Sequence, residues 1–493
     1  VGTQIIYPGA PERTTVQTCP RTAKIHPSLM ARKFDVRLSD MITEEKSREG
    51  LVEALEQTRR RTLALVETLD DQQLDVPYHP GVNPPLWETG HSAFFYEVFV
   101  LSQDGGPNYD PSMDDLWDSF HIEHRDRWRR DLFPGRAATL SYFNTIYDRV
   151  AKRIRSKPLS GEDHYLYRYA IYHQNMHIES LIWCRQTVGF PPPPSYEAGA
   201  PDAIFRAETN ELKADALIPA GRYVMGMPGS SPDFATMDFG FDNEKPRFEV
   251  ELPAFAISRT LVSNGEFREF VDAGGYQAPE FWSFGGRKWL EKPYNRTLVT
   301  GATEDAMTLP THPIYWQYRD AEWQEKHFDR WHPLDPSAPV THVTYWEAEA
   351  FCQWAGRRLP SEAEWEAAAL DNRPGQPFNR FPWGNGQPRP DQADMDGRWM
   401  ARQPVGHYAN GVGRHGCRQM IGSVWEWTTD QFLPYDGFKV DVYPFMSTLQ
   451  FGDHKVTKGG SCATSSMLIR GTYRQAYLPE RNDTYTGFRT CAR

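Results

Sequence analysis

Apolar positions recur at helical spacing through four stretches of the first 190 residues, and beyond about Ala216 that period disappears. The first stretch runs from Thr43 to about Leu69, with Leu51, Leu55, Thr62, Leu65 and Leu69 on one stripe and Asp70-Asp71 to stop it. A second begins at Pro84-Pro85, where proline suits a first helical turn, and directs His91, Phe94, Phe95, Val98 and Leu101 inward. A third covers about Ala138 to Lys152. The fourth, about His164 to Arg185, contains no Gly or Pro and sets Leu166, Ala170, His173, His177, Ser180 and Cys184 on one face. Together they predict a four-helix bundle over 43–190. Residues 1–42 mix Pro, Thr and charge without periodicity and read as an extended arm, and the prolines that follow Phe190 open a stiff linker over 191–216.

From 217 to 493 short β-like pieces alternate with Gly, Pro and Asn turns. Ile218 to Gly226 reads as one strand, and Thr344 to Gly356 as a helix with Ala348 and Phe351 inward. No internal repeat is visible. The expected fold class is therefore multidomain, α followed by an irregular α+β domain that depends on loops. Inside the helical part, Gln103 to Gly135 is a long connection rich in Gly, Pro, Asp and Trp, too aromatic for disorder, and long connections of that kind are functional.

The chemistry concentrates on the inward imidazoles. His173 and His177 lie four apart on one helix, so their side chains are neighbours, and His91 offers a third from a partner helix. Three neutral imidazoles suit Zn, Cu, Fe or Ni and leave positions open for water, O2 or substrate, which makes the site catalytic in kind. Glu88-x-x-His91 has the spacing used in di-iron bundles, but no second Glu-x-x-His follows in the bundle, so one metal is expected. Glu179, two residues past His177, points to another side of the helix and reads as a supporting residue or an anchor between helices.

Charge and composition narrow the rest. A net charge of −11, from 54 basic and 65 acidic residues, argues against a nucleic-acid binder. No stretch is apolar enough to span a membrane, and the first residues lack the regions of a secretion signal, so a soluble cytoplasmic protein is expected. The 6 cysteines form no CxxC pair, which excludes a zinc ribbon and leaves reduced thiols as the expectation.

The second half resembles the formylglycine-generating-enzyme fold, a C-type-lectin variant. The likeness rests on Pro219-Ala220-Gly221 with Met225-Gly226, on Val262 to Phe267, on Arg358 to Glu366, and on Pro382-Trp383-Gly384. It continues through Gly422 to Trp427, Gly459-Gly460-Ser461 and Gly487-Phe488-Arg489. The first half resembles a DinB-like bundle through His173, His177 and Glu179. That fusion is similar to the ergothioneine-biosynthetic sulfoxide synthases and their relative, selenoneine synthase. Such enzymes use Fe(II) and O2 to couple a thiol, or a selenosugar, to imidazole C2 of hercynine. True formylglycine-generating enzymes need a cysteine pair after the Gly-Gly-Ser motif, and here Cys462 has no partner through Arg470.

The resemblance implies Fe(II) on His91, His173 and His177. It places His124, Arg127 and Trp128 at the donor, with one of the family's two arginines replaced by His124, which favours a cysteine-type thiol or selenosugar over a dicarboxylate donor. It places Met176, Gln475, Tyr477 and Arg481 around hercynine, whose quaternary ammonium suits aromatic faces such as Trp425, Trp427, Phe432, Tyr435 and Tyr477. The family's tyrosine that donates a proton near the iron aligns with Phe432, with Tyr435 one step further as the candidate, and the resemblance leaves the donor unassigned. These departures lean toward the selenoneine-type or cysteine-using branch. Two alternatives stand beside this reading: a zinc-dependent DinB-type thiol transferase using the same triad, and a non-catalytic lectin-like scaffold.

Overall fold

The computed structural model describes residues 38–196, 210–228, 239–295, 307–443 and 446–493. Residues 47–493 form one compact unit and 1–46 another. The arm expected over 1–42 lies outside the described residues, except that helical backbone already begins at Leu38. The start was expected at Thr43.

Four long helices follow the predicted stripes: α1 (Leu38–Glu67), α2 (Pro85–Phe99), α3 (Arg136–Ser156) and α4 (Gly161–Val188). Local chemistry sets the ends of α4. Ser160 accepts from the Asp163 backbone N–H while Asp163 reaches back, and the helix stops at Gly189, whose φ of 70° is left-handed. Pro85 opens α2, which is buried on nearly all sides, from Trp87 and Glu88 to Tyr96 and Glu97. A helix buried all round is the centre of its domain. The connection between α2 and α3 is ordered into short turns, including Asp114–Trp117 and His124–Trp128. Gly90 is what lets it come close: a Cβ there would lie 2.4 Å from the Trp117 ring.

The second half is the irregular α+β domain expected, with small sheets rather than one large one. Its four-stranded sheet runs in the order 475–477, 455–458, 425–431, 486–487. Strand Trp425–Gln431 pairs antiparallel with Lys455–Lys458 and parallel with Thr486–Gly487. The single strand expected over 218–226 is instead two, Asp215–Ile218 and Gly221–Met225, in different sheets. Pro219 cannot donate to a ladder, and the turn there ends the first strand. The expected helix over 344–356 is Tyr345–Trp354, with Ala348 and Phe351 buried and Thr344 as its cap.

The halves are joined by buried polar contacts. Gln186 of α4 donates to Lys326 O at 2.9 Å and accepts from the Phe328 N–H at 2.7 Å. Arg61 of α1 bonds Ser465 Oγ at 2.9 Å and pairs with Asp396 at 3.0 Å. Glu179 makes the densest junction. It takes hydrogen bonds from Trp425 Nε1 at 2.8 Å, Ser461 Oγ at 2.6 Å and Thr464 Oγ1 at 2.9 Å. Glu179 was read as a supporting residue or an anchor between helices; it anchors α4 to the second half. No helix among the described residues is long and apolar enough to cross a membrane.

Candidate metal centre

α2 and α4 bring three imidazoles together. One ligating nitrogen each from His91, His173 and His177 lies within 4.8 Å of the others. The ring orientation is fixed from behind. His91 Nδ1–H donates to Trp117 O at 2.7 Å, and His177 Nδ1–H donates to Glu88 Oε1 at 2.9 Å. Because a carbonyl and a carboxylate only accept, these partners fix the tautomers and leave both Nε2 lone pairs free. His177 Nε2 faces His173 Nε2 at 3.3 Å. Stacking holds the rings as well: Trp87 lies 4.9 Å from His91 at 8°, and Phe95 lies 3.7 Å from His173 at 16°.

Burial, with the neighbouring His177 as a second cause, lowers the His91 pKa to about 3. Burial followed by His177 and His91 holds His173 well below its ordinary value. Neutral imidazole is the form that binds metal. His91 and His177 turn unprotonated Nε2 atoms toward a buried point that His173 Nε2 shares. The donor set therefore fits a divalent transition-metal ion held by three ligands.

Glu88 has a different place from the one its spacing suggested. It is 1% exposed and turns to His177 rather than ligating beside His91, so a carboxylate backs one histidine while a backbone carbonyl backs another. Its second oxygen, Oε2, has no hydrogen-bond partner within the protein. Among the described residues the triad is the group placed to share an ion. One metal is thus the reading the geometry supports. Glu88→Gln is expected to lower metal affinity by about 10–100-fold through loss of the carboxylate behind His177. Competition with a chelator of known affinity measures it, and an unchanged constant would remove Glu88 from that role.

The expected donor residues lie along the start of α2. The Arg127 guanidinium sits 4.1 Å over the Trp87 ring, on the indole that stacks on His91. Its Nη1 donates to Asn83 Oδ1 at 2.8 Å and its Nη2 to Ser119 O at 3.0 Å. His124 Nε2–H donates to Val82 O at 3.1 Å, and Trp128 Nε1–H to Val76 O at 2.9 Å. Trp87, Arg127, Trp128 and Phe133 line a cavity of ≈ 340 Å³ on this side.

Around the other side, Met176 and Trp183 on α4 are half-buried. Tyr477 lies edge-on to Trp183 and to Trp427, each at 6.4 Å. Trp425 is committed to Glu179, Trp427 donates to Val343 O at 2.9 Å, and Gln475 accepts from the Tyr473 hydroxyl at 3.2 Å. Arg481 stacks on Trp183 and Tyr477, at 5.5 and 5.4 Å. Its Nε donates to Asp483 Oδ1 at 2.8 Å, so the guanidinium expected at a substrate carboxylate already has a carboxylate partner.

Tyr435, the candidate proton donor, and Phe432 make their contacts within the second half. Tyr435 donates to Glu362 Oε1 at 3.1 Å beneath the Arg474 guanidinium, and Phe432 packs with Val456, Ala476 and Phe451. A donor must be within hydrogen-bond reach of the reacting group; Phe432 is buried in a small cluster of the second half, and Tyr435 is half-buried with its hydroxyl on Glu362. The tyrosine that reaches the triad is Tyr443, from the loop between the strands at 425–431 and 455–458. Its ring is 6.1 Å from His173 and 5.3 Å from both Phe95 and Phe99. Reading the sequence missed it. The signal was a long excursion closed on itself, with the Gly452 N–H donating to Phe432 O at 3.0 Å, since compact long loops carry function.

Known proteins bear on this architecture. Residues 201–493 match the sulfatase-modifying factor enzyme 1-like domain, and residues 54–181 match the DinB superfamily. A hercynine oxygenase of Mycolicibacterium smegmatis is 32% identical over 455 residues, covering 90% of this chain and 98% of the relative. One from Mycobacterium tuberculosis is 32% identical over 458 residues, with coverage of 90% and 98%. A formylglycine-generating enzyme of Thermomonospora curvata is 31% identical over 328 residues, 61% of this chain and 99% of its own length. With its DinB-type helices, its sulfatase-modifying-factor-like second half and full-length relatives at this identity, the chain belongs to the hercynine oxygenase family and is an enzyme of the oxygenase class.

Proposed function

We propose that the chain forms a C–S or C–Se bond at imidazole C2 of hercynine, using O2 and an Fe(II) ion held by His91, His173 and His177. The observation that carries this reading is the convergence of three back-supported imidazoles within 4.8 Å of one another beside residues of the second half. When bound, ferrous ion would supply O2 activation and favour the chalcogen donor as its anion. Everything else falls to side chains. Trp87 and Phe95 hold two ligand rings by stacking, and Glu88 and Trp117 O hold their back protons. Met176, Trp183 and Tyr477 offer the soft, aromatic surroundings that a quaternary ammonium prefers.

Donor choice follows from charge. Both Nη groups of Arg127 already serve Asn83 and Ser119, the other arginines of the cavity, Arg129, Arg130 and Arg136, pair with Asp131, Asp75 and Asp71, and burial with the adjacent Arg127 lowers the His124 pKa, so His124 adds no second cation. A dicarboxylate donor calls for two such cations. A cysteine-type thiol or a selenosugar is the better match. The compartment proposed is the cytoplasm, where the buried free cysteines 184, 352, 417, 462 and 491 stay reduced.

The test is anaerobic reconstitution with Fe(II), then O2 with hercynine and cysteine, γ-glutamylcysteine or selenoglucose, with products read by mass. Oxygen uptake coupled to hercynine loss is expected with cysteine or the selenosugar and not with the dipeptide. Turnover of a zinc-loaded sample without O2 would transfer the site to thiol-transferase chemistry. No coupled uptake with any donor would end the proposal.

A further inference from the structure

The excursion after Gln431 meets α4 at two places. At one, the Tyr443 ring lies 6.1 Å from that of His173, edge-on at 79°, and 5.3 Å from both Phe95 and Phe99 of α2. At the other, three polar side chains close a triangle. Lys245 Nζ donates to the Tyr165 oxygen at 3.0 Å and to Asp441 Oδ2 at 3.0 Å, and the Tyr165 hydroxyl donates to the same carboxylate oxygen. An ammonium, a hydroxyl and a carboxylate satisfy one another in that arrangement without conflict of roles. The remaining oxygen, Asp441 Oδ1, accepts from the Val442 N–H at 2.8 Å. The side chains of Lys245 and Asp441 are only 14% and 15% exposed, so water and salt screen the pair little.

The two meetings are coupled. Tyr165 and His173 belong to one rigid helix, and Asp441 and Tyr443 stand on either side of Val442, so fixing the first pair limits where the second can lie. Contacts between aromatic edges tolerate sliding, whereas hydrogen bonds and ion pairs select one direction. We propose that Asp441 is a positioning residue: held by Tyr165 and Lys245, it seats the Tyr443 ring against His173 and so controls access to the triad from the side of the second half. Phe95 already stacks on the His173 ring at 3.7 Å, and His173 is 7% exposed. The inference rests on the metal part of the function proposed above and is independent of hercynine and of the chalcogen donor.

The experiment uses the full chain under anaerobic conditions and times both release of Fe(II) to a chromogenic chelator and uptake of Fe(II) by the metal-free protein. Asp441→Asn removes the charge, Lys245→Met removes its partner, and Tyr165→Phe removes a single hydroxyl. Each is expected to speed release and uptake alike by about tenfold, the size of one lost hydrogen bond to a charged group, with the equilibrium affinity unchanged. Lys245→Arg keeps the ion pair and should keep slow exchange. Tyr443→Ala should exchange as fast as Asp441→Asn, and the double variant should match the singles, because both act through one ring. In metal-free protein, carbethoxylation of His173, read by peptide mass, should quicken in the same variants.

Unchanged exchange in Asp441→Asn and Tyr165→Phe overturns the proposal. So do faster release without faster uptake, which is weakened affinity rather than opened access, additive effects in the double variant, and a fall in melting temperature as the sole change. If the wild-type protein retains no Fe(II), the metal reading fails by itself, and the carbethoxylation rate of His173 still decides the role of Asp441.

Discussion

His177→Ala protein, reconstituted anaerobically with Fe(II) and then desalted, should retain less than about a tenth of the wild-type metal, because one of three ligands and its carboxylate support vanish together. Second-sphere losses alone cost about 10–100-fold in affinity, and a lost ligand costs more. The fold should survive. The His177 side chain is 16% exposed and sits at the site rather than in the apolar core, so its removal leaves a small polar gap. Inductively coupled plasma analysis beside a circular dichroism melt reads both halves of the expectation. Full metal content in a folded variant would take His177 out of the site.

The next largest effect is expected at Glu179. Glu179→Ala strips the acceptor from Trp425 Nε1, Ser461 Oγ and Thr464 Oγ1 in a junction where the glutamate itself is 5% exposed. Buried donors left unpaired cost about 1–3 kcal/mol each, and partial rearrangement brings the expected loss to about 3–5 kcal/mol in urea-induced unfolding. Glu179→Gln, which keeps one accepting oxygen, should lose about half as much. A Glu179→Ala midpoint equal to wild type would show that the junction adds nothing to stability.

Several of these features were readable in the residues because their period is short. His173 and His177 share a helix face by spacing alone, and the stripe through Leu51 and Leu55 marks a core helix whose buried members are the expected ones. Glu88 was not readable in the same way. It stands three before His91 on its own helix yet serves His177 on another, and that choice is made by packing between helices. The loop after Gln431 defeats alignment for a related reason. Phe432 lies at its base, where packing with Val456 and Ala476 buries it, and Tyr435 follows with its hydroxyl on Glu362, while Tyr443 lies further along and meets His173. Arg481 shows the limit in charge reading: a guanidinium two residues from Asp483 finds its carboxylate inside the chain. Likewise a turn at Pro219 divides what looked like one strand.

All three imidazoles of the triad are carried by the helical half, and among the described residues the second half meets them through the Tyr443 ring. Inheritance of the chelate and inheritance of selectivity are therefore separable. A chimera that keeps α1 to α4 and borrows the excursion after Gln431 from a relative would keep the three imidazoles and the Arg127 side as they are while changing the ring that faces His173, so the two sides of the site can change independently.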